Sequence, residues 1–149
     1  MSSAQKITAA ALLGVSVSLL SVGFVSTPPT VWRHVIQITP VLAAFALVVR
    51  GFKGWAGAAA PIFLMWLVLM SMIGLFLMGV KTPFSGTFTP VEIALAIAVA
   101  IFSALGLVFS ARSLPASGWV HGITMFVVAG AVQYAALLLS FQPMFQHDR

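Results

Sequence analysis

Charge is scarce along this chain, and its few charged side chains lie at the ends of long apolar runs. Among 149 residues, seven are Lys or Arg and two are Asp or Glu, so 6% of the side chains carry charge. A water-soluble domain has about 25% charged residues, which it needs to cover its surface. Because 61% of the residues are hydrophobic and the mean hydropathy is +1.13, we expect lipid to be the solvent.

Five apolar runs are long enough to cross a bilayer, which needs about 20 residues per helix. The predicted spans are residues 7–26, 31–49, 60–80, 91–111 and 118–141. Backbone amides in lipid must be bonded within their own segment, and no two-residue alternation favours a barrel, so the runs should be helices. The sequence therefore predicts an all-α, polytopic integral membrane protein. It is a bundle of about five transmembrane helices with short loops, forming one domain over residues 1–149.

The basic residues favour one orientation in the membrane. With five spans, one side holds four cations, namely Lys6, Arg50, Lys53 and Arg112. The other side holds three, namely Arg33, Lys81 and Arg149. The excess of Lys and Arg on cytoplasmic loops predicts a cytoplasmic N-terminus and an outside C-terminus, in a bacterial inner membrane. These cations are scattered rather than clustered, so we expect them to anchor lipid headgroups and not to bind nucleic acid.

The residues that most catalytic or metal centres require are missing from the sequence. There is no cysteine, which excludes disulfides, thiolate metal sites, iron–sulfur clusters and thiol catalysis. The only aspartate is Asp148, so a Ser-His-Asp triad is not available. His34 opens the second span and His121 opens the fifth, at opposite membrane faces, so they cannot share a metal or haem. No catalytic residue, no metal site and no particular cofactor is predicted.

Glu92 is the only carboxylate near the hydrocarbon, and two interpretations are open for it. A lone acid in a membrane favours proton or ion coupling. The local sequence from Thr89 through Pro90 to Glu92 instead has the pattern of a capping box, with Thr at the N-cap, Pro at N1 and Glu at N3. We predict that Glu92 caps the fourth helix.

Polar side chains in the spans are concentrated towards the predicted outer face. Gln133 and Tyr134 lie about fifteen residues into the fifth span, about 23 Å from its inner end. Because glutamines are costly in lipid without partners, we predict a polar pocket opening to the outer face. Its members would be Arg33, His34, Gln37, Glu92, Gln133 and Tyr134. The alternative is that each group reaches the nearby interface or bridges two helices.

Small residues predict which helix faces approach closely, because they let backbones come together in a membrane. Ala96, Ala100 and Ala104 recur every four residues in the fourth span. Ala131 and Ala135 do so in the fifth. We expect these two faces to pack against neighbouring helices.

Three functions are compatible with the sequence. The first is a small accessory or structural subunit that packs beside a larger membrane protein and has room to hold lipid, pigment or quinone between them. The second is a homo-oligomeric transporter or channel with the polar pocket as its entrance. The third is a membrane-embedded enzyme that acts on a lipid or quinone through His34 or Glu92. Small size and the absence of a reactive constellation favour the accessory subunit.

Overall fold

Five helices account for nearly all of the chain that the computed structural model describes, which is residues 1–26, 29–82, 86–115 and 118–142. They are α1 (Ser3–Val25), α2 (Val31–Val49), α3 (Trp55–Leu77), α4 (Pro90–Ser113) and α5 (Trp119–Ser140). Each is long and apolar enough to cross a membrane. The predicted all-α membrane bundle is confirmed, with helix ends within a few residues of the predicted spans.

The largest difference from prediction is the start of α3. Gly54 has a φ of 92° at its N-cap, and the Trp55 amide donates to the Phe52 carbonyl at 3.0 Å. This tight turn lets the helix begin five residues earlier than predicted, through a segment whose glycines suggested a loop. Pro61 is therefore inside the helix and not in its first turn. Because proline has no amide hydrogen, the carbonyl of Gly57 lacks its usual helical partner.

The helices form a ring in which sequence neighbours are not always spatial neighbours. α1 packs on α2 and α4, while α3 packs on α4, α5 and, less extensively, α2. α5 packs on α2 and α3, whereas it makes at most marginal contact with α4. The order around the ring is therefore α1, α2, α5, α3, α4.

Glycines bring three of these helix pairs into close contact. A Cβ at Gly14 of α1 would lie 2.7 Å from the Phe102 ring of α4. A Cβ at Gly106 of α4 would lie 2.1 Å from the Phe63 ring of α3. The closest approach joins two backbones, since a Cβ at Gly57 of α3 would lie 1.9 Å from the carbonyl oxygen of Gly122 in α5.

The prediction of the small-residue faces was wrong in detail. The buried side of α4 consists of Val99, Ser103, Gly106 and Ser110, and Ala104 is exposed. On α5, Ala131 and Ala135 are exposed as well. Alanine is small enough to pack yet apolar enough to face lipid, so its spacing does not decide the face. In α4 the buried face is determined by Gly106, because only glycine leaves room for the Phe63 ring.

The interior is filled unevenly around the ring. Fully buried Leu12, Val15 and Phe63 fill its middle, together with Ile62 and Val99. In the most apolar stretch of α1, 50% of the residues are buried, against 11% for α5. α5 is therefore the helix least covered by the rest of its own chain.

Candidate functional site

A cavity of about 280 Å³ opens at the end of the bundle opposite the N-terminus. Here the C-terminal ends of α1, α3 and α5 meet the N-terminal ends of α2 and α4, and all five helices contribute lining residues. We call this cavity the vestibule. Its polar or charged lining residues are Ser26, Thr30, Arg33, His34, Gln37, Thr87 and Glu92. Its apolar and aromatic lining residues include Leu19, Val22, Trp66, Leu69, Met70, Ile73, Phe88, Val99, Leu137 and Phe141.

Arg33 supplies the positive charge of the vestibule. Its guanidinium carbon lies 4.2 Å from the centroid of the Phe141 ring, which is cation–π distance. Its Nε is buried and has no hydrogen-bond partner among the residues that the structure describes. A buried donor on a cation is costly when nothing accepts from it, so this atom marks a place for an acceptor.

Glu92 is the acidic group of the vestibule, but its oxygens are already occupied. Oε2 accepts from the Thr89 amide at 2.8 Å and from the Thr89 hydroxyl at 2.8 Å, and the Glu92 amide donates to Thr89 Oγ1 at 3.3 Å. The predicted capping box is therefore confirmed. Oε1 accepts a further bond of 2.9 Å from the Ser26 hydroxyl at the end of α1. Three hydrogen-bond donors therefore surround this carboxylate, and one of them, the Ser26 hydroxyl, also lies 2.8 Å from the Val22 carbonyl.

His34 is buried beside Arg33 with its ring anchored at one nitrogen. Nδ1 lies 3.0 Å from the Thr30 carbonyl and 3.2 Å from the Thr30 hydroxyl. A carbonyl can only accept, so Nδ1 carries the hydrogen and Nε2 of the neutral ring is an acceptor. Because the Thr30 hydroxyl turns to His34, the first-turn amides of α2 have no side-chain cap.

Two glutamines join α2 to α5 along one wall of the vestibule. Gln37 Nε2 donates to Ser140 Oγ at 2.9 Å, and Gln133 Nε2 donates to the Gln37 carbonyl at 3.1 Å. Gln133 is fully buried behind the wall and does not line the cavity. Its Oε1 has no hydrogen-bond partner.

Trp66 is the lining residue that sequence reasoning missed. It lies eleven residues before the end of α3, about 16 Å below that helix end. The side chain is 3% exposed, and its Nε1 is buried without a hydrogen-bond partner in the described part of the chain. The available signal was an indole N–H at mid-membrane depth, where a donor needs a partner.

Tyr134 lies outside the vestibule, and its predicted place in the pocket is wrong. Its side chain is 58% exposed on the outer surface of α5. Successive helical residues are about 100° apart, so burying Gln133 turns Tyr134 outwards. Of the six predicted residues, four line the vestibule, namely Arg33, His34, Gln37 and Glu92. Gln133 supports its wall through Gln37.

The fold and the vestibule define a five-helix membrane protein with a polar-rimmed cavity at one end. Within the described ranges, no three His, Asp or Glu side chains are grouped closely enough to hold a metal ion. Comparison with protein-family models, with curated proteins and with solved structures found no match.

Proposed function

We propose that the protein is a small accessory subunit of a larger membrane complex and that it holds an amphiphilic molecule in the vestibule. The observation that carries this proposal is the order of side chains in the cavity. Polar groups such as Arg33 and Thr30 lie near the helix ends, and apolar side chains such as Leu19, Met70 and Val99 lie below them. We propose further that the membrane is a bacterial inner membrane and that the vestibule faces outwards.

The order of polarity in the vestibule matches an amphiphile better than a small polar solute. A polar solute would have to give up water against walls made of leucine, methionine and valine. Both the apolar portion and the head of an amphiphile favour binding, since the apolar portion leaves water and the head meets hydrogen-bond donors at the rim. Ligand sites generally combine mostly apolar walls with a few placed polar groups.

Holding a molecule is better supported than transport through one copy of the chain. A path across the membrane would have to continue from the vestibule towards the N-terminal end. Leu12, Val15 and Phe63 are fully buried there and fill the middle of the ring. These side chains therefore close the inner end of the cavity, as a bound structural ligand requires.

Binding is also better supported than catalysis. Both oxygens of Glu92 accept bonds that stabilise helix ends, and His34 is anchored to the backbone through Nδ1. A general base needs a free pair of electrons within reach of a substrate proton and, usually, a partner that orients it. His34 has such a pair on Nε2, with its ring oriented by Thr30 through Nδ1, but no hydrogen bond within the described ranges joins it to Glu92, so the vestibule holds a lone base and no acid–base pair.

The subunit part of the proposal is supported by α5. Large apolar side chains along its outer surface are exposed, among them Val120, Ile123, Val127, Val132 and Leu138. Without a hydrophobic effect between helices in lipid, packing contacts must hold a bundle together. A helix with so little coverage from its own chain gains most from a neighbouring protein.

Extraction of the native protein in a mild detergent, followed by native mass spectrometry of the particle, tests both parts. We expect a larger protein in fixed stoichiometry with this chain, and a small amphiphile that remains bound until the particle is unfolded. A particle containing only copies of this chain would contradict the subunit part. A particle without a retained small molecule would contradict the binding part.

A further inference from the structure

Resting on the proposed function, we propose that the molecule held in the vestibule is a single-chain amphiphile with an anionic head. The head binds the Arg33 guanidinium at the rim, and the chain runs down between α1, α3 and α4 towards Trp66. The charge of the head, the polarity of the unpaired groups and the size of the cavity each lead to this class of ligand.

The negative charge of the ligand head follows from the contacts that the two ionised side chains of the vestibule, Glu92 and Arg33, already make. Glu92 accepts from Ser26 and Thr89 within its own helix-end arrangement. Arg33 has a cation–π contact with Phe141 and a buried Nε without an acceptor. A guanidinium away from bulk water is most stable with a paired anion, and its fork of donors suits a carboxylate or phosphate. Glu92 is the only acidic side chain among the described residues, so within that part of the chain Arg33 has no second acid to pair with, and the ligand supplies the negative charge.

The fully buried unpaired polar atoms in the described lining of the vestibule are donors. Among its lining residues, the buried polar side-chain atoms without a partner are Arg33 Nε and Trp66 Nε1, and both carry a hydrogen. The first turn of α2, which holds Arg33, also lacks a side-chain cap, so its amides and helix dipole favour an anion. Beside Arg33 an ammonium head would meet a cation and further donors, which disfavours that class at this wall of the vestibule.

The volume of the cavity favours a ligand with one alkyl chain over a ligand with two. Its volume of about 280 Å³ is at the lower limit of pockets for drug-sized ligands, about 300–1,000 Å³. Leu19, Leu69, Ile73 and Val99 form its apolar lining. A medium-length alkyl chain fits such a space, whereas a lipid with two chains would have to leave most of its apolar surface outside.

Trp66 provides a direct readout, because a bromine atom at the end of a bound chain quenches a nearby indole. The protein for this experiment keeps Trp66 alone and carries Trp32→Phe, Trp55→Phe and Trp119→Phe. It is placed in nanodiscs and titrated with terminally brominated dodecanoate, dodecyl phosphate or dodecanol. The two anionic probes distinguish a carboxylate head from a phosphate head, and the alcohol has the same chain without the charge.

We expect both anionic probes to quench Trp66 saturably, and the alcohol to need a concentration at least about tenfold higher, which is about 1.4 kcal/mol. Arg33→Gln should remove this preference for the anion, and Arg33→Lys should keep part of it. Arg50→Gln is the matched control, since it removes one positive charge at the opposite end of the bundle. It should leave all three titrations unchanged.

Two other outcomes separate the inference from the function on which it rests. Equal binding of the alcohol and the anions, with no effect of Arg33→Gln, would overturn the anionic head while amphiphile binding stands. No saturable quenching by any probe would overturn both proposals. Circular dichroism of each variant ensures that the compared proteins have the same helical content.

Discussion

The Ser26 hydroxyl at the end of α1 donates a 2.9 Å hydrogen bond to Glu92 Oε1 in the first turn of α4. The two residues are 66 positions apart in the chain. The bond joins the C-terminus of one helix to the N-terminal cap of another at the rim of the vestibule. Glu92 therefore acts both within its helix, through Thr89, and between helices, through Ser26.

Replacing Glu92 should reveal both roles. We expect Glu92→Gln to lower the free energy of unfolding by about 1 kcal/mol, since it weakens a cap and removes a charged acceptor. Ser26→Ala should cost less, and the two changes together should cost less than their sum, because they share one bond. Unfolding in mixed micelles measures all three variants. Strict additivity would contradict a bond between these side chains.

The close approach of α3 and α5 predicts a large effect of one methyl group. We expect Gly57→Ala to destabilise the bundle by about 1–3 kcal/mol, the usual cost of overpacking, because the new Cβ would overlap the Gly122 carbonyl. Gly74→Ala is the matched control in the same helix, since nothing lies within 4 Å of its Cβ position. It should be neutral or stabilise the protein by about 0.5–1 kcal/mol. Thermal unfolding in detergent compares the pair, and equal effects would contradict the helix contact.

Much of the fold could be predicted because solvent alone determines it. Runs of about 20 apolar residues between single cations have no other stable structure in lipid, and the Thr89–Glu92 cap could be predicted because it lies within four residues. The hydrogen bond from Ser26 to Glu92 could not be predicted, since the local sequence around each residue does not specify the other as its partner. The start of α3 was missed for the opposite reason, because the segment from Gly51 to Gly54 was interpreted as a break, whereas Gly54 forms a tight turn directly into the helix.

Gln133 should be replaceable by an apolar residue of similar length. Its Nε2 donates to the Gln37 carbonyl, but its Oε1 is buried without a partner. Exchanging both atoms for apolar ones is nearly neutral or stabilising when the unpaired group is removed as well. We expect Gln133→Met to change the unfolding free energy by less than about 1 kcal/mol. A loss well beyond that would show that Oε1 has a partner in the membrane, and amide-specific infrared spectroscopy of isotope-labelled protein would detect it.

The absence of native cysteine makes the orientation directly measurable. Ser3 and Thr87 are both exposed and lie at opposite ends of the bundle. With a cytoplasmic N-terminus, an impermeant maleimide should label Thr87→Cys in intact spheroplasts and should label Ser3→Cys only after lysis. The reverse pattern would place the vestibule on the cytoplasmic side. Labelling after complete solubilisation controls for the reactivity of each thiol.

Part of the candidate site was readable from the sequence and part was not. Polarity alone identified Arg33, His34 and Gln37, because polar groups in an apolar span are costly and usually have a function or a partner. Tyr134 was included because depth was estimated without the helical phase, which turns it away from Gln133. Trp66 was overlooked because an indole packs well in many environments, and only its lack of a hydrogen-bond partner in the folded bundle distinguishes it.

The ring order has a consequence for biogenesis. α5 is made after the other four described helices, yet it packs between α2 and α3, which have left the ribosome well before it. Until then the Gln37 amide lacks Ser140, and the flat surface at Gly57 has no Gly122 against it. One wall of the vestibule therefore exists only after α5 has partitioned into the membrane. A nascent chain that still lacks α5 is accordingly the stage at which the insertion machinery or a chaperone has most to shield.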